Sequence, residues 1–421
     1  MSQLAENLIK EWWARPLPKV IPREVDLLNF HNLPVKKIVS IVGFRRSGKT
    51  YTLLDLAAKI GQKNCVYINF EDERIPQKIN LLTDITDSLT ELSGKKSFTL
   101  LFDEIQNIPG WETWARRIAE TTNHKLFITG SSSRLASSDL PTNLRGRSLT
   151  VEIKPLNFRE FLKFKNTDFS SLPKPELLNL TREYITYGGF PEIVLVEEGK
   201  KLLIIDEYYK TFLTRDVIER HKIRNSETLV SLIKLLLNSS YYTASKLTGD
   251  LKSAGFDAGK ATTTRYLSFL QESFFLKTGK LHSPSVKNRL KAAQKPYFID
   301  NFFLSRYSTE FSQNLGRLME NTVAQNLSNF YYWRDYQGHE IDFVIQRVES
   351  TEELIQVSFV SNKSEINKRE TENLAKAARI LKCQNLTLIT WDLDGKIEKG
   401  NFLINLISLP KWLMEFPLES K

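Results

Sequence analysis

The sequence predicts an α/β fold: a parallel sheet first, helices after it, and a second α/β region toward the C-terminal end. Three observations predict it. An apolar strand pattern, Lys37-Ile38-Val39-Ser40-Ile41-Val42, runs straight into Gly43-Phe44-Arg45-Arg46-Ser47-Gly48-Lys49-Thr50 and an apolar helix. Further short apolar runs follow at 65–71, 98–102 and 125–129, each reading as a buried strand. After residue 300 the pattern changes to a helix at 315–327 followed by strands at 331–335, 340–345 and 354–359.

The first element carries the chemistry. In G-x-x-x-x-G-K-[ST], Gly43 and Gly48 let the backbone wrap a phosphate chain, with successive N–H groups and a helix N-terminus facing negative charge. Lys49 reaches the β- and γ-phosphates, and the Thr50 hydroxyl is a hard oxygen ligand for Mg2+. Arg45, Arg46 and Ser47 within the loop, and Tyr51 just after it, join the nucleotide contacts. The expected ligands are therefore ATP and Mg2+.

The run Phe98-Thr99-Leu100-Leu101-Phe102 delivers Asp103-Glu104. Asp103 is expected in the magnesium shell, and Glu104 is expected to polarise the water that attacks the γ-phosphate. The strand pattern Cys65-Val66-Tyr67-Ile68-Asn69-Phe70-Glu71 lies between the two motifs, so an extra strand is expected to separate the phosphate loop from the carboxylates. Lys125-Leu126-Phe127-Ile128-Thr129-Gly130 leads to Ser131, at the strand end where open parallel sheets place ligands, and Ser131 is the expected γ-phosphate sensor. Arg145 or Arg147 could neutralise charge developing on the phosphoryl oxygens.

These segments, with Lys154-Pro155-Leu156-Asn157-Phe158-Arg159-Glu160-Phe161 and Tyr187-Gly188-Gly189-Phe190-Pro191-Glu192, resemble a prokaryotic AAA-like P-loop ATPase of the archaeal ATPase type, related to STAND NTPases and origin-recognition ATPases. The order of elements resembles the additional-strand class of P-loop ATPases. The resemblance implies a helical lid whose Gly-x-Pro element contacts the base, here Gly189 and Pro191.

Composition agrees. A chain of 421 residues exceeds one usual core. Its two cysteines, Cys65 and Cys383, argue for a reducing compartment. With no signal pattern at the start and no stretch of ~18 uncharged apolar residues, a cytoplasmic protein without membrane association is expected. The net charge of +10 is consistent with an anionic partner.

From Lys277 to Lys295 six basic residues occur without an acid. Upstream, 226–237, 244–251 and 261–274 read as helices, the first with a serine cap. Helix, helix, turn, helix and a basic extended pair read as a winged helix-turn-helix. Lys287, Arg289 and Lys291 of the wing are expected to meet phosphates, and Lys260, Thr263, Thr264 and Arg265 the groove of double-stranded or branched DNA.

The C-terminal order of elements resembles the PD-(D/E)XK nuclease fold, which as a domain of unknown function closes many members of this ATPase family. That chemistry needs Glu320, Asp342 and an acid-x-lysine pair, but the pair positions hold Gln356 and Ser358. The site reads as degenerate, which argues against nuclease activity unless Lys363, Lys368 or another cation has taken the lysine's role. The expected organisation is a leader at 1–30, irregular in structure, an ATPase core at 31–153, a helical lid at 154–225, a winged helix at 226–310 and a nuclease-like domain at 311–421. The function expected is Mg2+-dependent ATP hydrolysis coupled to DNA. The alternative is a STAND-type switch or scaffold with slow turnover, acting through a protein partner or a second copy.

Overall fold

The computed structural model describes residues 2–130, 144, 146–309, 314–347 and 350–415. They form two compact units, one of residues 1–154 with 272–274, the other of 155–271 with 275–421.

The first unit is built on five parallel strands: β1 (Ile38–Val42), β2 (Cys65–Asn69), β3 (Thr99–Asp103), β4 (Lys125–Gly130) and β5 (Ser148–Glu152). β1 and β3 are buried along their whole length, which is why they read as continuous rather than alternating apolar runs. The sheet order is β2-β3-β4-β1-β5. The strand expected to separate the phosphate loop from the carboxylates is therefore not Cys65–Asn69, which forms the sheet edge, but β4. Crossover helices let successive strands skip positions, so chain order alone does not give sheet order.

The leader is not irregular. Gln3–Ala14 is a helix whose Ala5, Leu8, Ile9 and Trp12 are buried on one face. The indole N–H groups of Trp12 and Trp13 both donate to the Cys65 carbonyl, at 2.9 and 3.3 Å. A helix thus covers the edge strand, and proline-rich composition after residue 15 masked the periodicity before it.

The second unit begins with helices Phe158–Phe164, Lys174–Tyr187, Pro191–Leu195 and Glu198–Thr211, the last continuing as a π-helix over Phe212–Glu219. Helices Ser226–Leu237, Ala244–Ser253 and Lys260–Glu272 follow. The cap of the first is Asn225, whose side chain accepts from the Thr228 N–H, rather than the expected Ser226. Next come β6 (Leu276–Leu281), a short helix Val286–Lys291 and β7 (Lys295–Phe298). The expected extended pair is thus interrupted by a helix, capped by the Ser285 side chain.

The remaining strands are β8 (Tyr331–Arg334), β9 (Glu340–Arg347), β10 (Ser350–Val357), β11 (Leu386–Thr390), β12 (Gly395–Lys399) and β13 (Phe402–Ser408). They join β6 and β7 in one mixed sheet ordered β12-β13-β11-β10-β9-β8-β6-β7. The junction is the parallel pairing of Lys280 with Tyr331 and Leu281 with Tyr332. The segments at 226–310 and 311–421 therefore share a sheet. Helix Leu315–Asn326 carries the side chains of Glu320 and Arg317 toward β7.

Candidate nucleotide site

β1 hands the chain to the loop at Gly43, whose φ is 145°. A Cβ there would stand 2.2 Å from the Ile153 carbonyl oxygen, so a glycine is required both by conformation and by space. Arg46 holds φ 67° and Gly48 φ 102°, and the helix Lys49–Ile60 starts directly after them. Lys49 is 5% exposed, and its ammonium donates to the carbonyls of Gly43 at 3.1 Å and Phe44 at 3.2 Å. Ser47 Oγ is buried with no hydrogen-bond partner among the described residues. Arg23 props the loop from the leader, donating to Ser47 O at 2.8 Å and Lys154 O at 2.9 Å. Sequence reading missed Arg23, because nothing local marks it. Arg45 pairs with Glu71 at 3.4 Å, and Tyr51 is exposed.

The carboxylates arrive at the end of β3. Asp103 is buried; its Oδ2 accepts from Thr50 Oγ1 at 2.7 Å and from the Tyr67 hydroxyl at 2.8 Å, and its Oδ1 accepts from Thr129 Oγ1. Glu104 follows in a left-handed conformation, φ 54° and ψ 46°, its N–H held by Thr129 Oγ1 at 2.9 Å. Burial pushes the Glu104 carboxyl up from its ordinary pKa, the Lys49 charge opposes this, and Asp103 reinforces it. Tyr67 and Thr129 are site residues that sequence reading did not single out. The one signal was a hydroxyl at the end of β4, two positions before Ser131.

Ser131 and Arg145 lie outside the described residues. Arg147 pairs with Glu120 at 2.9 Å. The residues present fit a triphosphate and a hard cation. The loop is tight enough at Gly43 to exclude a Cβ, a buried hydroxyl at Ser47 lacks a partner among the described residues, and a hydroxyl and a carboxylate oxygen meet at Thr50 and Asp103.

In the second unit Gly189 is engaged internally. Its N–H donates to Asp300 Oδ2 at 2.7 Å, its carbonyl accepts from Leu156 N at 2.7 Å, and a Cβ on it would lie 2.2 Å from Leu156 O. Pro191 opens the helix Pro191–Leu195. Thr263 corrects the expectation of a base contact: it is 1% exposed, and its hydroxyl accepts from Thr248 Oγ1 at 2.9 Å. Thr263 falls on the same helical face as Tyr266, Leu267 and Leu270, the face turned to the core. Lys260, Thr264, Arg265, Lys287, Arg289 and Lys291 are exposed.

Glu320 and Asp342 do come together, around a cation that sequence reading had counted in the basic run. Lys295 of β7, 3% exposed, places Nζ 3.0 Å from Glu320, 2.7 Å from Glu340 and 2.9 Å from Asp342. Burial by itself would lower the Lys295 pKa, but Asp342 and Glu320 raise it well above the ordinary value, so it stays an ammonium. Tyr297 donates to Glu320 at 2.7 Å and Arg317 lies 3.3 Å from it. Gln356 Oε1 accepts from the Asp342 N–H at 3.3 Å, and Ser358 lies one residue beyond Val357, whose N–H donates to Asp342 Oδ2.

The parallel sheet, the phosphate loop at the end of β1 and the carboxylates at the end of β3 define an AAA-type P-loop ATPase domain. The AAA domain family model AAA_14 matches residues 35–162, a domain of unknown function (DUF8612) matches 178–314, and another (DUF4143) matches 315–411. The chain is 36% identical over 423 residues to the uncharacterized protein MJ1544 of Methanocaldococcus jannaschii, covering 94% of this chain and 92% of that one, and it belongs to the same family. An uncharacterized protein of Haemophilus influenzae is 29% identical over 361 residues, 83% of this chain and 88% of its own. The Walker-type ATPase PABY2304 of Pyrococcus abyssi superposes with a TM-score of 0.50 at 14% identity, covering 70% of this chain and 98% of that one, which shows the shared fold. Among the described residues no helix is long and apolar enough to cross a membrane.

Proposed function

We propose that this chain hydrolyses ATP with Mg2+ and couples its nucleotide state to DNA held by the second unit. The observation that carries the reading is the meeting of Thr50 and Asp103 beneath the loop, with Glu104 next to them. When bound, Mg2+ supplies charge neutralisation on the phosphate oxygens. Thr50 and Asp103 are the residues that would hold it. Lys49 would leave the Gly43 and Phe44 carbonyls for the phosphates, and Glu104 would take the proton of the attacking water. Ser131, with Arg145 or Arg147, is assigned to the γ-phosphate, and Pro191, with the Gly189 segment, to the base.

For DNA, the support is the arrangement of three helices followed by β6, a basic helix and β7, a winged-helix order with the wing carrying Lys287, Arg289 and Lys291. Lys260, Thr264 and Arg265 present the leading turns of the third helix. The C-terminal sheet, in this reading, keeps a nuclease-like acid cluster whose cation is Lys295 and serves for holding rather than cutting. A slow-turnover switch acting on a protein partner is the second reading. It is favoured by the burial that keeps Glu104 a reluctant carboxylate.

Steady-state ATP hydrolysis with and without duplex or branched DNA tests both. Stimulation of several-fold supports the first reading, whereas slow, DNA-indifferent turnover with retained ADP supports the second. Turnover that survives Lys49→Ala removes the site assignment altogether.

A further inference from the structure

Glu104 has a side-chain neighbour that the mechanism above does not use. Gln106 stands in the turn Ile105–Asn107 and brings Nε2 to 2.5 Å from Glu104 Oε2. Its other end, Oε1, is buried with no hydrogen-bond partner among the described residues. As the base of the proposed hydrolysis Glu104 is ionised and only accepts, so the NH2 group is turned to it and the carbonyl away from it.

The backbone under this pair is anchored at several points. Glu104 N–H is held by Thr129 Oγ1, the Asn107 side chain donates to Phe70 O at 3.2 Å, and Ile105 and Ile108 are buried on either side. Glu104 pays for its orientation with a left-handed backbone, a strain that persists only where surrounding contacts enforce it. A buried carbonyl oxygen without a donor has given up its hydration with nothing in return. Such a group is expected where something that binds supplies the donor.

We propose that Gln106 is a positioning residue for hydrolysis: its Nε2 fixes the Glu104 carboxylate, and its Oε1 accepts the second O–H of the water that Glu104 deprotonates. The proposal rests on the ATPase reading. In the step, the water oxygen forms a bond to the γ-phosphorus while the bond from that phosphorus to the β–γ bridging oxygen breaks. One water proton passes to Glu104, and the electron pair of the broken bond leaves with ADP. Two acceptors on one water set both its distance and the direction of its lone pair, and a misplacement of about 1 Å can cost roughly a hundredfold in rate.

The test uses the full chain with Gln106→Leu and Gln106→Met, each of which removes the amide donor and acceptor, the second while keeping the length of the side chain. kcat and KM for ATP are measured beside the Kd of a non-hydrolysable ATP analogue and the melting temperature. Both variants are expected to lose roughly 10- to 100-fold in kcat, with KM and analogue binding unchanged and a melting temperature no lower than wild type. Should Gln106→Leu fail to fold, the unbranched Gln106→Met carries the comparison. A kcat equal to or above wild type in a variant, while Glu104→Gln is inactive, overturns the proposal, as does a loss of analogue binding in step with kcat. If wild type does not turn over, or Lys49→Ala still does, the ATPase reading itself has failed and this proposal goes with it.

Discussion

Thr50 and Asp103 lie 53 residues apart in the chain, yet the hydroxyl of one donates to the carboxylate of the other at 2.7 Å. This hydrogen bond joins the first turn of the helix after β1 to the end of β3, across the position that β4 occupies in the sheet. Thr129 of β4 completes it by bridging Asp103 and the Glu104 N–H. Replacing Asp103 by Ala removes the acceptor that Thr50, Tyr67 and Thr129 share. Nucleotide affinity and hydrolysis should both fall at least roughly tenfold, the size expected for losing one charged hydrogen-bond partner. Thermal melts with and without Mg-ATP, read beside turnover, check this.

Gly43→Ala should damage the loop without touching any catalytic group. The added methyl would lie 2.2 Å from the Ile153 carbonyl, and φ 145° is a conformation that alanine resists. The cost should be about 2 kcal/mol or more, seen as a lower denaturation midpoint, together with weaker analogue binding. A fully stable, ATP-binding variant would contradict the geometry.

Gly188 and Asp300 predict a pH dependence. Burial pushes the Asp300 carboxyl up to about 7, against the pull of the Gly189 and Phe302 N–H groups. Between about pH 4 and 7 the folded state therefore keeps a proton that the unfolded chain has already released. The stability that this group contributes is full below pH 4 and is lost as pH rises to about 7. Denaturant midpoints across that range should fall for wild type relative to Asp300→Asn, whose midpoints lack this component. Gly188→Ala should be destabilised at every pH, because its Cβ would stand 1.6 Å from Asp300 Oδ1.

Lys295→Met should be among the most destabilising single changes in the second unit. It leaves Glu320, Glu340 and Asp342 facing one another with their shared cation removed, for which roughly 3–5 kcal/mol is the usual cost. Adding Glu320→Gln and Asp342→Asn to Lys295→Met should recover much of the loss, because the penalty comes from uncompensated charge. Urea melts of the single and triple variants measure it.

On the DNA reading, Lys287→Ala, Arg289→Ala and Lys291→Ala together should flatten the salt dependence of duplex binding by roughly one slope unit for each phosphate left without its cation. Thr263→Val should leave binding unchanged and lower stability instead, since its hydroxyl bonds Thr248 in the interior. Fluorescence anisotropy over a salt series separates the two outcomes.

The phosphate loop, the carboxylate pair and the buried strands that carry them are legible in the chain alone, along with the helix holding Glu320 and the strand holding Asp342. These are local patterns: a glycine pair at set spacing, an apolar run ending in acids, a period of 3.6. It takes the folded chain to show that β4, not β2, lies between loop and carboxylates, that Tyr67 and Thr129 hold Asp103, and that Gln106 meets Glu104. The same holds for Lys295, counted in the sequence as one cation of a basic run and found as the buried centre of an acid cluster. Thr263 went the other way, from an expected base contact to the core, because one helical turn decides which face a residue joins. Each of these depends on which strand lies beside which, and that is fixed by burying all the apolar faces together rather than by any short stretch of chain.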